Sequence, residues 1–328
     1  MNAEPTQKQI EQILLKHLDV RILDVKRITE GFSHYMYDCT CEFDGKTKNF
    51  IVRISYNMNE DVEMGKELLA IETYAKKGIP VPEVYAFDIQ KTLFDFDYMI
   101  IEKFAGTPLK SLLDTLSSSD KKKIAKQVGE LVRMIHSIST EHFGKFTRHG
   151  VKKDDEFSFR KLEGAPEIHS WTRNLLKDTF IDLSGLVTID AITVEESHKI
   201  MNYLYTSKGM VRDAKSVLVH GDFHPDHILV RHEDGEYVIS GIVDFEFVSS
   251  RAPEYDFIKL HRMDLWNDNT FMEAFFEGYG LENVHPRFHE LVQFYRTLRD
   301  IGFAYHLAKA GNKEMYEKVM TNVWKVID

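Results

Sequence analysis

The stretch VHGDFHPDHILVRHEDGEYVISGIVDFE, from Val219 to Glu246, constrains the fold more than any other part of the chain. Two apolar runs, Ile228-Leu229-Val230 and Ile239 to Phe245, flank the dipeptide Asp234-Gly235. That dipeptide closes tight antiparallel hairpins. A hairpin folded there returns the end of its second strand to the start of its first. Asp244 then lies beside His227. The loop carrying His220, Asp222, His224 and Asp226 follows a further apolar run, Val217-Leu218-Val219, so a strand end holds Asp222 at the same rim. A carboxylate placed so can act as a base, and a pair of ligands can hold a divalent metal. The same residues on an ordinary loop would only be solvated.

A metallo-hydrolase needs further His, Asp or Asn clusters. The remaining histidines are scattered, and none forms an H-x-x-x-H pattern in an acidic context. The 328 residues suffice for one large domain or two modest ones. With 43% apolar and 29% charged residues the chain reads as globular. A net charge of −10 disfavours nucleic acid, whose phosphates need a basic face, and suits a cationic small molecule. No apolar run is long enough to span a membrane, and the first residues show no signal-peptide core. The two cysteines, Cys39 and Cys41, lie two apart on a strand, without the geometry for a bridge; a reducing, cytoplasmic home is expected.

Periodicity predicts a helix over Gln7–Leu18, then strands VRILDVKRI, HYMYDCTCEF and NFIVRISY, the last two joined at Asp44-Gly45-Lys46. A helix over Asp61–Lys77 is stopped by Gly78 and by Pro80 and Pro82. Strands EVYAFDI and DYMIIEKF follow. Beyond Gly106-Thr107-Pro108 the pattern is mostly helical, with Ser119 or Asp120 as an N-cap near the start. A polar, irregular insert is expected over about 143–166, and helices after Asp256. The expected fold is α+β: a β-rich lobe with one main helix, a short connector, and a larger α-rich lobe.

HGDFHPDHILV, then GIVDFE, then APEYDF resembles the aminoglycoside phosphotransferase superfamily, small-molecule kinases with a bilobal protein-kinase-like fold. The family pattern is HGDxxxxN, then IDW or IDF, then YD. The resemblance extends over about residues 28 to 260. It implies a nucleotide-binding lobe over 1–103 and a catalytic and substrate-binding lobe over 104–328. Asp222 takes the place of the catalytic aspartate, His227 that of the metal-binding asparagine, and Asp244 that of the Mg-binding aspartate. His220 and Asp256 take supporting places in the catalytic loop. In FIVRIS, Arg53 matches the phosphate-binding cation, and in KELLAIETYAKKGIPVP, Glu67 matches its partner, with Glu63 and Glu72 as rivals. ITEGFSHYMY, with Gly31 and Ser33, matches the loop over the phosphates. MIIEKFAGTPL matches the hinge, where the backbone of Glu102, Lys103 and Phe104 meets the purine.

His227 in place of asparagine is similar to the 2″-aminoglycoside and macrolide kinases. The implied reaction moves the γ-phosphate of ATP or GTP, with one or two Mg²⁺, to a hydroxyl of a small molecule, an aminoglycoside first, a macrolide or a choline- or homoserine-type metabolite otherwise. A nucleotide binder without catalysis is the reading of another class. No nucleic acid, membrane or protein partner is expected. Glu246, Asp264 and Trp266 are candidate acceptor contacts, with Glu254, Asp268, Glu273 and Glu277 as further acids that could meet ammonium groups.

Overall fold

A computed structural model describes residues 4–29, 34–56, 64–153, 170–211, 213–262 and 265–328. It opens on helix α1 (Gln7–His17), started by a capping box between Thr6 and Gln9. Strands β1 (Val20–Ile28), β2 (Tyr35–Phe43) and β3 (Lys46–Ser55) follow. Asp44 and Gly45 both take positive φ, 49° and 69°, the geometry that lets two residues join twisted strands. Helix α2 (Met64–Ala75) comes next, then β4 (Val84–Asp88) and β5 (Asp97–Glu102). The five strands form one antiparallel sheet in the order β1-β2-β3-β5-β4.

Strand alternation divides this sheet into two faces. Val52, Ile54, Tyr98 and Ile100 pack with Ile10, Ile13 and Leu14 of α1. Met99 and Ile101 belong to the other cluster, with Met64, Ile71 and Tyr74 of α2. Arg53 lies between Val52 and Ile54, so its side chain points to the α2 face. Cys39 and Cys41 are buried and unbridged on the α1 face.

The second half starts with β6 (Thr107–Pro108), α3 (Leu109–Leu112) and α4 (Ser118–His136). The cap of α4 is Ser117, whose hydroxyl accepts the Asp120 amide. That is earlier than the expected Ser119 or Asp120, because Ser117 is the residue placed three before a free helical N–H. The expected irregular insert contains a hairpin, β7 (Gly144–Thr147) and β8 (Gly150–Lys153). Helices α5 (Ser170–Thr188) and α6 (Val194–Ser207) lead to β9 (Val217–Val219). The hairpin β10 (Ile228–Glu233) and β11 (Glu236–Ile242) turns at Asp234 and Gly235, φ 50° and 84°. Then come β12 (Ser249–Arg251), α7 (Phe257–Arg262), α8 (Asn269–Tyr279), α9 (Phe288–Lys309) and α10 (Lys313–Ile327).

Helices α4 and α8 touch backbone to backbone. A Cβ at Gly129 would lie 2.0 Å from the Phe275 carbonyl oxygen, and one at Gly278 2.0 Å from that of Lys126. This contact, with α5 and α9 packed in a second cluster, builds the frame under the β9–β12 loops. Among the described residues no helix is long and apolar enough to cross a membrane.

Candidate active site

The loop after β9 is held from beneath. Asp256 accepts the Gly221 amide at 2.7 Å, the His220 amide at 2.9 Å and His136 Nε2 at 3.1 Å. Tyr279 on α8 in turn meets His136 Nδ1 at 3.0 Å. His220 is fully buried and its Nε2 donates to the Val243 carbonyl at 3.1 Å, tying the loop to the strand that ends at Asp244. Burial holds its pKa below the usual histidine value. Gly221 has φ 79°, and a Cβ there would lie 2.1 Å from the Phe247 carbonyl oxygen. The glycine is therefore required twice over.

Asp222 projects from this loop into a pair of cations. Lys259 Nζ of α7 lies 2.8 Å from Oδ1. Arg299 of α9 reaches the same oxygen at 3.4 Å and the Gly221 carbonyl at 3.0 Å. Burial works to raise the Asp222 carboxyl. The hydrogen bond and charge of Lys259, with His227 and Arg299, overcome it, so the group sits below the ordinary carboxylate value. It is an ionised group suited to orienting a hydroxyl and accepting its proton late in a transfer.

The hairpin brings His227 and Asp244 to the same rim. His227 Nδ1 lies 3.0 Å from the Asp222 carbonyl oxygen, which can only accept, so in the neutral ring Nε2 bears the lone pair. Nε2 faces Asp244 Oδ2 at 3.4 Å. Asp244 has φ 72°, a left-handed conformation costly for a residue with a Cβ and found at functional turns. Two electron-pair donors aimed at each other fit a shared cation. Among the described residues no three His, Cys, Asp or Glu side chains form a closed metal centre. A hard ion here would take its other ligands from phosphates and water.

On the α2 face of the sheet, Arg53 makes two contacts with Glu67, at 2.8 and 3.3 Å. Glu67 is fully buried, and His34 Nε2 meets it at 3.0 Å. Burial opposes ionisation of Glu67, and Arg53 and His34 outweigh it, so its pKa is lowered. The rival Glu72 pairs with Lys76 on the surface; Glu63 lies outside the described residues. Lys66 donates to the Glu246 carbonyl at 2.6 Å, tying α2 to the segment after Asp244. Glu246 is buried there, 3.7 Å from His34. At the hinge the Glu102 and Lys103 amides donate to the carbonyls of Glu83 and Asn49. The Phe104 ring lies against Gly241, where a Cβ would come within 2.2 Å of it.

Gly31, Ser33 and Asp264 lie outside the described residues, as does the side chain of Trp266. Asp268 caps α8 and pairs with Lys121, and Glu277 pairs with Lys126 on α4. The groups facing a cavity that meets Asp222 through Arg299 are others. A cavity of about 650 Å³ opens between α5 and α9, lined by Asp178, Asp182, Arg251, Tyr255, Arg299 and Phe303 among others. None of these was singled out from sequence. Each looks like an ordinary helix or loop residue until α5 is seen to cross α9.

The sequence profile of the phosphotransferase enzyme family, APH, matches residues 24–291. No curated protein matches in sequence. The structure resembles the GDP and kanamycin complex of the aminoglycoside phosphotransferase APH(2″)-IIIa, with 16% identity, TM-score 0.66, and 97% of this chain and 98% of that one covered. It also resembles spectinomycin phosphotransferase APH(9)-Ia with ADP and spectinomycin, at 17% identity, TM-score 0.58, and coverage of 99% and 96%. Choline kinase from Cryptosporidium parvum Iowa II is similar at 13% identity, TM-score 0.58, and coverage of 98% and 94%. At these identities the likeness shows a shared fold, the bilobal protein-kinase-like one.

Proposed function

The chain belongs to the phosphotransferase enzyme family, and from there we propose that it moves the γ-phosphate of ATP or GTP to a hydroxyl of a small molecule seated between α5 and α9. One observation carries this reading. Asp222, His227 and Asp244 converge at one rim, with the Arg53–Glu67 pair on the neighbouring sheet.

In this reading residues 1–103 form the nucleotide lobe and 104–328 the acceptor lobe. Asp222 orients the acceptor hydroxyl and takes its proton as the bond to phosphorus forms. Arg53, braced by Glu67, neutralises phosphate charge. His227 and Asp244 would hold one or two Mg²⁺, which when bound offset charge on the phosphate oxygens. His220 and Asp256 keep the loop in place. The Glu102 and Lys103 amides are engaged within the sheet, so the purine edge falls to the hinge carbonyls and to Phe104. Positioning and electrostatics supply the rate.

The acceptor is an amine-bearing compound, an aminoglycoside first, because Asp178 and Asp182 line the cavity. Two of the similar structures hold kanamycin or spectinomycin. The test is release of nucleoside diphosphate with Mg²⁺ and either ATP or GTP, across aminoglycosides, macrolides, choline and homoserine, with Asp222→Asn as control. Turnover on one class that vanishes in the control is expected. Near-normal turnover in Asp222→Asn, or nucleotide binding with no turnover on any acceptor, would overturn the reading; the latter points to a non-catalytic binder.

A further inference from the structure

The cavity has two sides of opposite charge. Asp178 and Asp182 stand on α5. Across from them, Arg251 and Arg299 both lie against Tyr255, with guanidinium carbons 4.5 and 5.6 Å from its ring centroid. A guanidinium over a tyrosine face is held in orientation while its N–H edge stays available. Arg251 is steadied by Ser249, whose Oγ accepts its Nε at 3.1 Å, and by Trp171, 5.7 Å from its guanidinium carbon. Among the described residues its two terminal nitrogens have no hydrogen-bond or ion-pair partner. Asp178 is near enough to feel its charge without forming an ion pair. Arg299 gives one N–H to the Gly221 carbonyl at 3.0 Å and reaches Asp222, its one carboxylate neighbour among the described residues, at 3.4 Å, where Lys259 is closer; its remaining N–H groups are the ones open to an anion.

A polyamine would satisfy the α5 side and leave this side repelled. A neutral acceptor would leave two half-buried guanidinium groups poorly solvated. We propose that Arg251 and Arg299, both held against the Tyr255 ring, form a seat for an acidic group of the acceptor, a carboxylate or a phosphate, beside the hydroxyl that Asp222 orients. This rests on the phosphotransferase reading and shifts its acceptor away from a purely cationic aminoglycoside. The acceptor is a hydroxylated compound carrying an acidic group, with its amine, where it has one, toward Asp178 and Asp182. The fork of Arg251 suits either anion bidentately. Phe247 and Phe303, each about half exposed at the mouth, offer apolar surface to the remainder of the molecule.

The test is direct binding by calorimetry, in the presence of a non-hydrolysable nucleotide and Mg²⁺, and independent of turnover. The probes are matched pairs: gluconate against glucitol, homoserine against homoserine amide, and glucose 6-phosphate against glucose, with kanamycin as a purely cationic comparator. The first two pairs report a carboxylate and the third a phosphate. In wild type the acidic member of at least one pair should bind about tenfold or more tighter than its neutral partner. Arg251→Gln should abolish that advantage, and Arg251→Lys should restore part of it, since it keeps the charge and loses the fork. The lysine variant also guards against a folding defect in the glutamine variant. No acidic preference in any pair, or a preference that survives Arg251→Gln, overturns the seat. So does tight kanamycin binding that is indifferent to Arg251. Failure of the kinase reading shows separately, as absence of Asp222-dependent diphosphate release.

Discussion

Lys259 Nζ lies 2.8 Å from Asp222 Oδ1, on the carboxylate proposed to orient the acceptor hydroxyl. Burial alone would make Asp222 harder to ionise; Lys259 is the largest influence in the other direction. The lysine comes from α7, the helix that directly follows Asp256, so the same turn that ties the loop also delivers the cation.

Lys259→Met should therefore raise the Asp222 pKa. In wild type the carboxylate is ionised at every pH above its lowered value, so the acid limb of kcat/KM lies below the ordinary carboxylate range, about 4. In the variant the limb moves up, so activity falls first at acid pH, on that limb. A pH–rate profile reads both. An unmoved limb would mean that Lys259 does not set the basicity of Asp222.

Arg53 and Glu67 form a buried pair, and removing the cation strands the carboxylate. Arg53→Met should cost about 3 kcal/mol of stability at neutral pH and raise the KM for nucleotide. Glu67 has a lowered pKa in the folded protein, so the pair contributes above the unfolded carboxylate value and its contribution is lost as pH falls through the folded one. The gap between wild type and variant should be full at neutral pH and narrow as pH falls from the ordinary carboxylate value of 4.5 through the lowered folded one, in urea unfolding. A gap that stays constant would show that ionised Glu67 is not what Arg53 balances.

This pair was legible in the sequence through the family resemblance, which placed Arg53 in FIVRIS and, by the distance to GIPVP, Glu67 ahead of Glu63 and Glu72; strand alternation then turns Arg53 to α2. The Asp222, His227 and Asp244 rim was legible for a local reason: a two-residue turn leaves a hairpin little freedom. Lys259, Arg299, Asp178 and Asp182 were not. Their meeting depends on how α5, α7 and α9 cross, and helix crossing leaves no local signal in side-chain period. The strands β6, β7, β8 and β12 run for two to four residues, too short to show alternation. Glu246 was legible as an acid near the site, but its burial with His34 and Lys66 arises from contacts across the whole chain.

Gly221→Ala and Gly45→Ala make a paired test of why a glycine is needed. Both have positive φ, 79° and 69°. A Cβ at Gly45 meets nothing within 4 Å, so only backbone strain of about 1 kcal/mol is expected. At Gly221 the Cβ would meet the Phe247 carbonyl at 2.1 Å, and the segment joining Asp244 to β12 must move. Turnover should fall at least about 100-fold in the Gly221 variant and stay near wild type in the Gly45 variant. Equal effects would assign both to strain alone.

Asp182 carries the clearest pH dependence away from the loop of Asp222. Burial, with Asp178 beside it, raises its carboxyl from 3.8 to about 6. Between those values the folded protein holds a proton that the unfolded chain has released. Stability therefore falls as pH rises through the window, and the full penalty applies above it. Asp182→Asn removes the penalty. The variant should melt at a higher temperature than wild type near pH 8, and the gain should disappear at about pH 3, where Asp182 is largely protonated in both the folded and the unfolded chain. Thermal melts at the two pH values decide it. A gain of equal size at both would place the effect in packing against Gly302, where a Cβ would lie 2.8 Å from Asp182 Oδ2, rather than in charge. The same titration bears on binding: as pH falls below about 6 the α5 wall loses negative charge, so the KM of an amine-bearing acceptor should rise while an acidic group on Arg251 keeps its hold.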